Sequence, residues 1–374
     1  MKMQVTTLKN RVFDMYKKVI MFIPHYAFKK RICKFAGTDF PVTEFKDSDN
    51  FSHRNSCIEW WYFSGILDSP SRNCPLGVNV TFFRIKALFK GRVIHISITD
   101  PECIGTENRN KSNFRTFRNK FIYAGWYPTF LDAFKPSHII SIFNNNLSYN
   151  AIEKKFILKV KTGDIDLMLD MKMEKSTFMS HGNNGIVGDI FLKGGSYYYS
   201  IPDLKSNGKL AYSGRNYDVT GKIWFDHQWG NFSLEDISWQ WFSLRFDDND
   251  LHIMIYDFNK ESDGKFIGDI KYKEDAEGIE NISITPGNYI RLKNGRSCPT
   301  TWNLVIMAGN GMMSANIESL FNDQFINSLI TPSYWEGMCK TTGEVYSDIN
   351  LKTSKLTKGE KFEGFAYVEV TGLG

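Results

Sequence analysis

The sequence predicts a mainly β protein built from two similar domains, preceded by an N-terminal amphipathic helix. Three observations lead there. Apolar and polar residues alternate with period two from about residue 56 onward, which is the spacing of a strand with one buried face. Aromatic residues make up 15% of the chain, with 30 Phe, 17 Tyr and 9 Trp, and such side chains favour strands that face each other across an apolar interior. The 374 residues exceed what one core usually organises, so about two domains are expected. The expected division is 1–40 for the basic segment, 41–235 for the first β domain and 236–374 for the second.

In the N-terminal segment Val5, Leu8, Val12, Tyr16 and Ile23 recur at helical spacing. Arg11, Asp14, Lys17 and Lys18 fall on the other face, Lys9 is the exception, and Pro24 ends the pattern. Residues 1–35 hold nine Lys or Arg against Asp14 alone, a balance of +8 that leaves −3 for the rest of a chain of net charge +5. The apolar run Val19–Ile23 is too short to span a bilayer and stands too far behind the charges for a good signal peptide. Two placements of this helix stay open: on an anionic membrane surface, or docked on the protein's own body. The protein is expected in the cytoplasm, and the first placement would make it peripheral to a membrane. A body of −3 has the wrong sign for nucleic acid, which is not expected as a partner.

The strands follow in order. Val78–Ile85, His95–Thr99, Phe156–Lys161 and Ile165–Met171 alternate in strand fashion, and Thr162–Asp164 between the last two is a hairpin turn signal. His252–Phe258, Thr301–Met307 and Phe365–Gly372 continue the pattern. Only Ala315–Leu329 suggests a helix within the body. A faint internal echo links Glu59–Asp68 (EWWYFSGILD) with Trp239–Asp248 (WQWFSLRFDD), as if each domain opened on an aromatic strand. The six cysteines contain no C-x-x-C pair and the seven histidines no H-x-x-x-H spacing, so neither a metal nor another cofactor is expected.

Chemistry concentrates in Ile223–Phe232, IWFDHQWGNF, which sets Asp226 and His227 between Trp224 and Trp229, near the boundary of the two domains. Clefts between domains are common ligand sites. An acid and an imidazole among indoles are costly to bury without a purpose. The structural alternative is that Asp226 accepts backbone hydrogen bonds at a strand end, and that Glu59 pairs with Arg84 or Arg215.

The stretches IEWWYFSGIL, HISITD, HGNNG (His181–Gly185), YYYSIPDL (Tyr197–Leu204), YDVTGKIWFDHQWG (Tyr217–Gly230), YWEG (Tyr334–Gly337) and YVEVTG (Tyr367–Gly372) occur in this order. Together they resemble the hydroxyneurosporene synthase (carotenoid 1,2-hydratase)-like family, also called AttH-like, over residues 50 to 374. The resemblance implies two packed lipocalin-like β-barrels with an apolar pocket at or near their interface. It also implies a long, unsaturated, hydrophobic small-molecule substrate, such as a polyene or isoprenoid. Acid-assisted hydration or cyclisation of a C=C bond is then the expected reaction. Diels–Alder closure of a polyketide-type polyene by a pericyclase, or carriage of a hydrophobic ligand without chemistry, are the alternatives. An acid in the pocket favours the first; hydroxyl and amide donors without an acid favour the second; a smooth apolar wall favours the third.

Hydrating a trisubstituted alkene requires a proton donor, π-faces for the cation and a base for water. Asp226 is the expected donor, with His227 orienting it or taking the proton from water. Trp60, Trp61 and Trp229 are expected to face the cation, and Trp239, Trp241 and Tyr199 to contact substrate or fill barrel cores. Glu59 is a further catalytic candidate. Hydratase members of the family also use a tyrosine and an aspartate about a strand later, nearest here to Tyr256 and Asp257; adjacent strand residues face opposite sides, so a regular strand directs only one of them to the pocket. Glu336 and Glu369 are expected to be structural, and the His181–Gly182 loop is left without a role.

Overall fold

The structure, a computed structural model, describes residues 46–53, 56–86, 90–101, 117–127, 138–174, 178–187, 195–231, 238–258, 266–327 and 333–372. The helix expected within 1–40 lies outside them. The described residues form two large antiparallel sheets, each curled around its own core. No α-helix occurs among them, and so none long and apolar enough to cross a membrane.

The first sheet contains β1 (Ile58–Asp68), β2 (Leu76–Lys86), β3 (Lys90–Thr99), β4 (Phe117–Tyr127), β5 (His138–Ile142) and β6 (Asn145–Asn150). It continues with β7 (Lys155–Thr162), β8 (Ile165–Met173), the short β9 (Met179–Ser180) and β10 (Ile186–Val187), β11 (Gly195–Tyr212) and β12 (Arg215–Asn231). Its order is β4-β3-β2-β1-β12-β11-β8-β7-β6-β5, and the end strands β4 and β5 come into contact, which gives the sheet its barrel form. The second sheet contains β13 (Gln240–Phe246), β14 (Leu251–Asp257), β15 (Phe266–Tyr272), β16 (Asp275–Gly278), β17 (Asn281–Arg291) and β18 (Ser297–Ala308). β19 (Gly311–Ser319), β20 (Phe325–Ile326), β21 (Tyr334–Ser347) and β24 (Lys361–Val370) complete it, while β22 (Ile349–Asn350) and β23 (Lys355–Leu356) form a separate ribbon. Its order is β16-β15-β14-β13-β24-β21-β19-β18-β17.

The topologies match: in each sheet the first strand sits between the second and the last. The sequence echo follows from this, with Phe63-Ser64 of β1 answering Phe242-Ser243 of β13. Phe63 and Phe242 enter the two cores. One position earlier, Tyr62 and Trp241 point the other way and meet edge-to-face at 5.1 Å, between the sheets.

Burial patterns show which strands do this. In β8 every second residue from Ile165 to Met173 is buried and the intervening ones are not, as expected of a sheet with one wet face. In β1, β13 and β14 nearly every residue is buried, because one face fills a barrel and the other packs on the partner sheet. The β7–β8 hairpin closes through Gly163, whose φ of +58° suits a two-residue turn. The helix expected at Ala315–Leu329 is corrected. Met313, Ala315 and Ile317 alternate into the second core as part of β19, and Phe325–Ile326 pairs with β21. Tertiary burial at period two overrides the local helical spacing.

Candidate functional site

Between the sheets lies a cavity of about 720 Å³, its mouth included, lined by both of them. Its walls are largely aromatic: Trp60, Tyr62 and Phe83 from the first sheet, Trp239, Trp241 and Tyr256 from the second. Into this apolar space project three carboxyls: Asp226 of β12 and Glu336 of β21, both almost entirely buried, and Glu369 of β24, which is partly buried.

Asp226 is the best solvated by the protein itself. Oδ2 accepts from the Tyr198 hydroxyl at 2.7 Å, and Oδ1 from Trp224 Nε1 at 2.6 Å and from the Ser200 hydroxyl. Tyr198 in turn accepts from Trp241 Nε1 at 2.9 Å, so the second sheet braces the group. Burial raises the acid to about 6, against the pull of these donors and of His181. Glu336 and Glu369 lie directly opposite each other in the β21–β24 ladder. Asn79 Nδ2 donates to Glu336 at 2.8 Å and Trp239 Nε1 to Glu369 at 3.1 Å. Burial, with the charge of Glu369 beside it, pushes Glu336 well above the carboxylate range; burial, aided by the charge of Asp226 and opposed by the Trp239 donor, takes Glu369 up to about 7. At neutral pH the pair therefore keeps at least one proton, while Asp226 is mainly ionised. Two carboxyl environments held apart in this way separate an acid from a base.

His227 is directed elsewhere. Adjacent residues of a strand alternate, so one face of β12 sends Asp226 to the cavity while the other sends His227, with Phe225 and Trp229, into the first barrel. There its Nε2 meets Glu59 Oε1 at 3.1 Å and its Nδ1 the Asp49 carbonyl at 2.8 Å. Burial pulls the imidazole down to about 4, against the pull of Glu59 and the Asp49 carbonyl. Glu59 is fully buried and bound by Arg84 Nε at 2.8 Å, the His53 amide at 2.8 Å and Ser52 Oγ at 3.1 Å. Burial would raise its carboxyl, but Arg84 and the two histidines hold it well below the usual range. Among the described residues, His53, Glu59 and His227 also bring three ligand-type atoms within 4.8 Å of one another. Arg84 already neutralises that carboxylate, so a cation would compete with a guanidinium; the cluster is a hydrogen-bond network joining β1, β2 and β12 to the Asp47–Asn50 turn.

The structure thus divides the residues singled out in sequence. Asp226, Tyr256, Trp60, Trp239 and Trp241 line the cavity together. Glu59, His227, Trp61, Trp229 and Tyr199 do not: all five face the first barrel, where Trp61 stacks on His227 at 4.9 Å and the Tyr199 hydroxyl binds Asn50 at 3.0 Å. Asp257 lies on the face of β14 opposite Tyr256 and is not in the cavity wall. Pairing Asp226 with His227 as acid and base is therefore corrected. Glu336 and Glu369, expected to be structural, supply two of the three cavity carboxyls. A signal for Glu369 was present: YVEVTG places Tyr367, Glu369 and Thr371 on one face and Val368 and Val370 on the other, a polar face on a strand buried on both sides.

The family model described as AttH-like matches residues 44–373. No curated protein matches the chain in sequence. A protein of Nitrosomonas europaea described as an AttH shares the fold with a TM-score of 0.70 at 21% identity, over 89% of this chain and 98% of that one. Kievitone hydratase from Nectria haematococca gives 0.67 at 16% identity, over 90% and 95%. CghA solved with Sch210972 gives 0.54 at 10% identity, over 90% and 96%.

Proposed function

The chain belongs to the AttH-like family, and for this member we propose acid–base catalysis on a C=C bond of an apolar, unsaturated substrate held between the two sheets. The observation that supports it is the convergence of three carboxyls, two of them almost entirely buried, on one aromatic cavity. A carrier needs no such groups, and each is costly to bury.

The Glu336–Glu369 pair is the acid. Its O–H breaks as the alkene π electrons form a new C–H bond, leaving a tertiary cation. Trp60, Trp239, Trp241 and Tyr256 surround that cation with π-faces, each worth up to about 2 kcal/mol when desolvated. Asp226 is the base. It takes the proton of the water that attacks the cation, giving hydration, or of the carbon that must lose one after ring closure, giving cyclisation. One proton is spent by the glutamates and one is collected by the aspartate. The solved kievitone hydratase of the same fold is in keeping with the first outcome.

Open-chain isoprenoids and polyenes incubated with the protein in D₂O or H₂¹⁸O, with the products weighed by mass spectrometry, test the proposal. The expected product carries solvent deuterium on carbon, together with one labelled oxygen if water adds. A ring formed without deuterium would mean closure without proton transfer, and ligand recovered unchanged from a saturable complex would mean a carrier; either result overturns it.

A further inference from the structure

Asp226 is not an isolated base. On the side away from the cavity the Ser200 hydroxyl lies between its Oδ1 and the imidazole of His181, whose Nε2 is 2.6 Å from Ser200 Oγ. The other ring nitrogen, Nδ1, is 2.6 Å from Oδ2 of Asp269, on β15 of the second sheet. His181 is fully buried, whereas Asp269 retains 13% of its side-chain exposure. Four proton-carrying groups thus run in line from the cavity to the protein surface. Among the described residues, Tyr198 and Trp224 also donate to Asp226; the Tyr198 ring packs on His181 at 4.3 Å, and Glu369 and Tyr256 reach Asp226 only through its charge.

The HGNNG stretch exists to place this imidazole. Asn184 and Gly185 both have positive φ, 52° and 82°, and close a two-residue turn between Asn183 and Ile186. Gly182, at φ 71°, brings the chain so close that a Cβ there would lie 2.4 Å from the Ile186 carbonyl. The folded-back turn is then tied to β11, His181 N to Tyr198 O at 3.1 Å and Tyr198 N to Gly185 O at 2.9 Å.

We infer that Ser200, His181 and Asp269 form a proton relay that connects Asp226 with solvent. Protonated Asp226 donates to Ser200 Oγ, Ser200 donates to Nε2, and Nδ1–H donates to the Asp269 carboxylate. In one transfer the Asp226 O–H breaks and a Ser200 O–H forms, while the former Ser200 O–H breaks and Nε2–H forms. Asp226 is again a carboxylate and His181 an imidazolium facing Asp269, from which a proton passes to water. Run in reverse, the same steps load Asp226. His181 and Ser200 are positioning residues, since neither lines the cavity. In the cycle this rests on the proposed function, where it drains the proton that Asp226 collects, but the relay itself requires no substrate.

The test uses protons alone. In the full chain, a caged acid is photolysed to jump the pH through the Asp226 titration, and the rise of its carboxylic C=O band is followed by time-resolved infrared. Loss of the band in Asp226→Asn assigns it. Ser200→Ala and His181→Gln are expected to slow that rise by about 10²-fold with the end point kept, the low end of what a positioned proton carrier contributes. Ser200→Thr, which retains the hydroxyl, should restore the rate. Should Ser200→Ala not fold, His181→Gln carries the test. Unchanged rates in the folded variants would overturn the relay, because protons would then be entering through the cavity mouth. A slowed rise in a protein that transforms no alkene would keep the relay and refute the function instead.

Discussion

Glu336→Gln is expected to lower turnover by about 10²–10⁴, the usual contribution of a positioned acid, with little loss of stability. Glutamine has the shape of the neutral acid, and its carbonyl still accepts from Asn79 at the present 2.8 Å. Asp226→Asn should cost a similar factor but is less clean. Three donors converge on that carboxylate, and an amide has one acceptor oxygen, so about 1–3 kcal/mol of stability goes as well. Turnover per folded molecule, measured beside the melting temperature, separates the two effects. The pH profile follows from the same groups. Activity falls on the acid side as Asp226 is protonated near 6, and on the alkaline side as the glutamate pair, with Glu369 at about 7 and Glu336 higher, loses its last proton. Glu369→Gln removes the charge that raises Glu336, so the alkaline limb should move to lower pH. An alkaline limb that stays in place in that variant would remove the pair from the mechanism.

Arg84→Ala is expected to act on folding instead, at a cost of about 3–5 kcal/mol, because it strands a fully buried carboxylate. At roughly 2–4 °C per kcal/mol for a domain of this size, the melting temperature should fall by roughly 6–20 °C. The pH dependence is diagnostic. Glu59 is held below its unfolded value near ~4.3, so its stabilisation is present above that value and lost only as pH falls through the lower, folded one. Without Arg84 the depression lifts and acid unfolding should begin at higher pH. Replacing both partners, Glu59→Leu with Arg84→Met, should recover part of the loss, since no charge is then left unpaired. A melting temperature within a degree or so of the parent for Arg84→Ala would contradict this account of the network.

These two clusters show what the sequence made legible. Period-two runs located β2, β3, β7, β8, β14, β18 and β24, because a strand's facing is a local property. The same alternation, applied to Tyr256 and Asp257, identified the rule that also separates Asp226 from His227. The indoles and the acid of one motif look like one site on paper, yet in a strand they serve two interiors. Long-range pairing was not legible. Nothing local says that β21 runs beside β24, so although YVEVTG marks the polar face that carries Glu369, the pairing of Glu336 with Glu369 across the ladder was invisible. His181 meets Asp269 across 88 residues and His227 meets Glu59 across 168, which no spacing rule reaches. The misplaced helix at Ala315–Leu329 has the same origin, since the partners that make β19 a strand are β18 and β21.

The central claim is that the cavity holds a neutral carboxylic acid at neutral pH, on the Glu336–Glu369 pair. Static infrared difference spectra of the ligand-free protein between pH 7 and a strongly alkaline state read this directly. The account predicts a protonated carboxyl C=O band at pH 7 that disappears on titration, is absent or weakened in Glu336→Gln, and persists in Asp226→Asn. No such band at pH 7, or one that vanishes in Asp226→Asn and survives in Glu336→Gln, would contradict it.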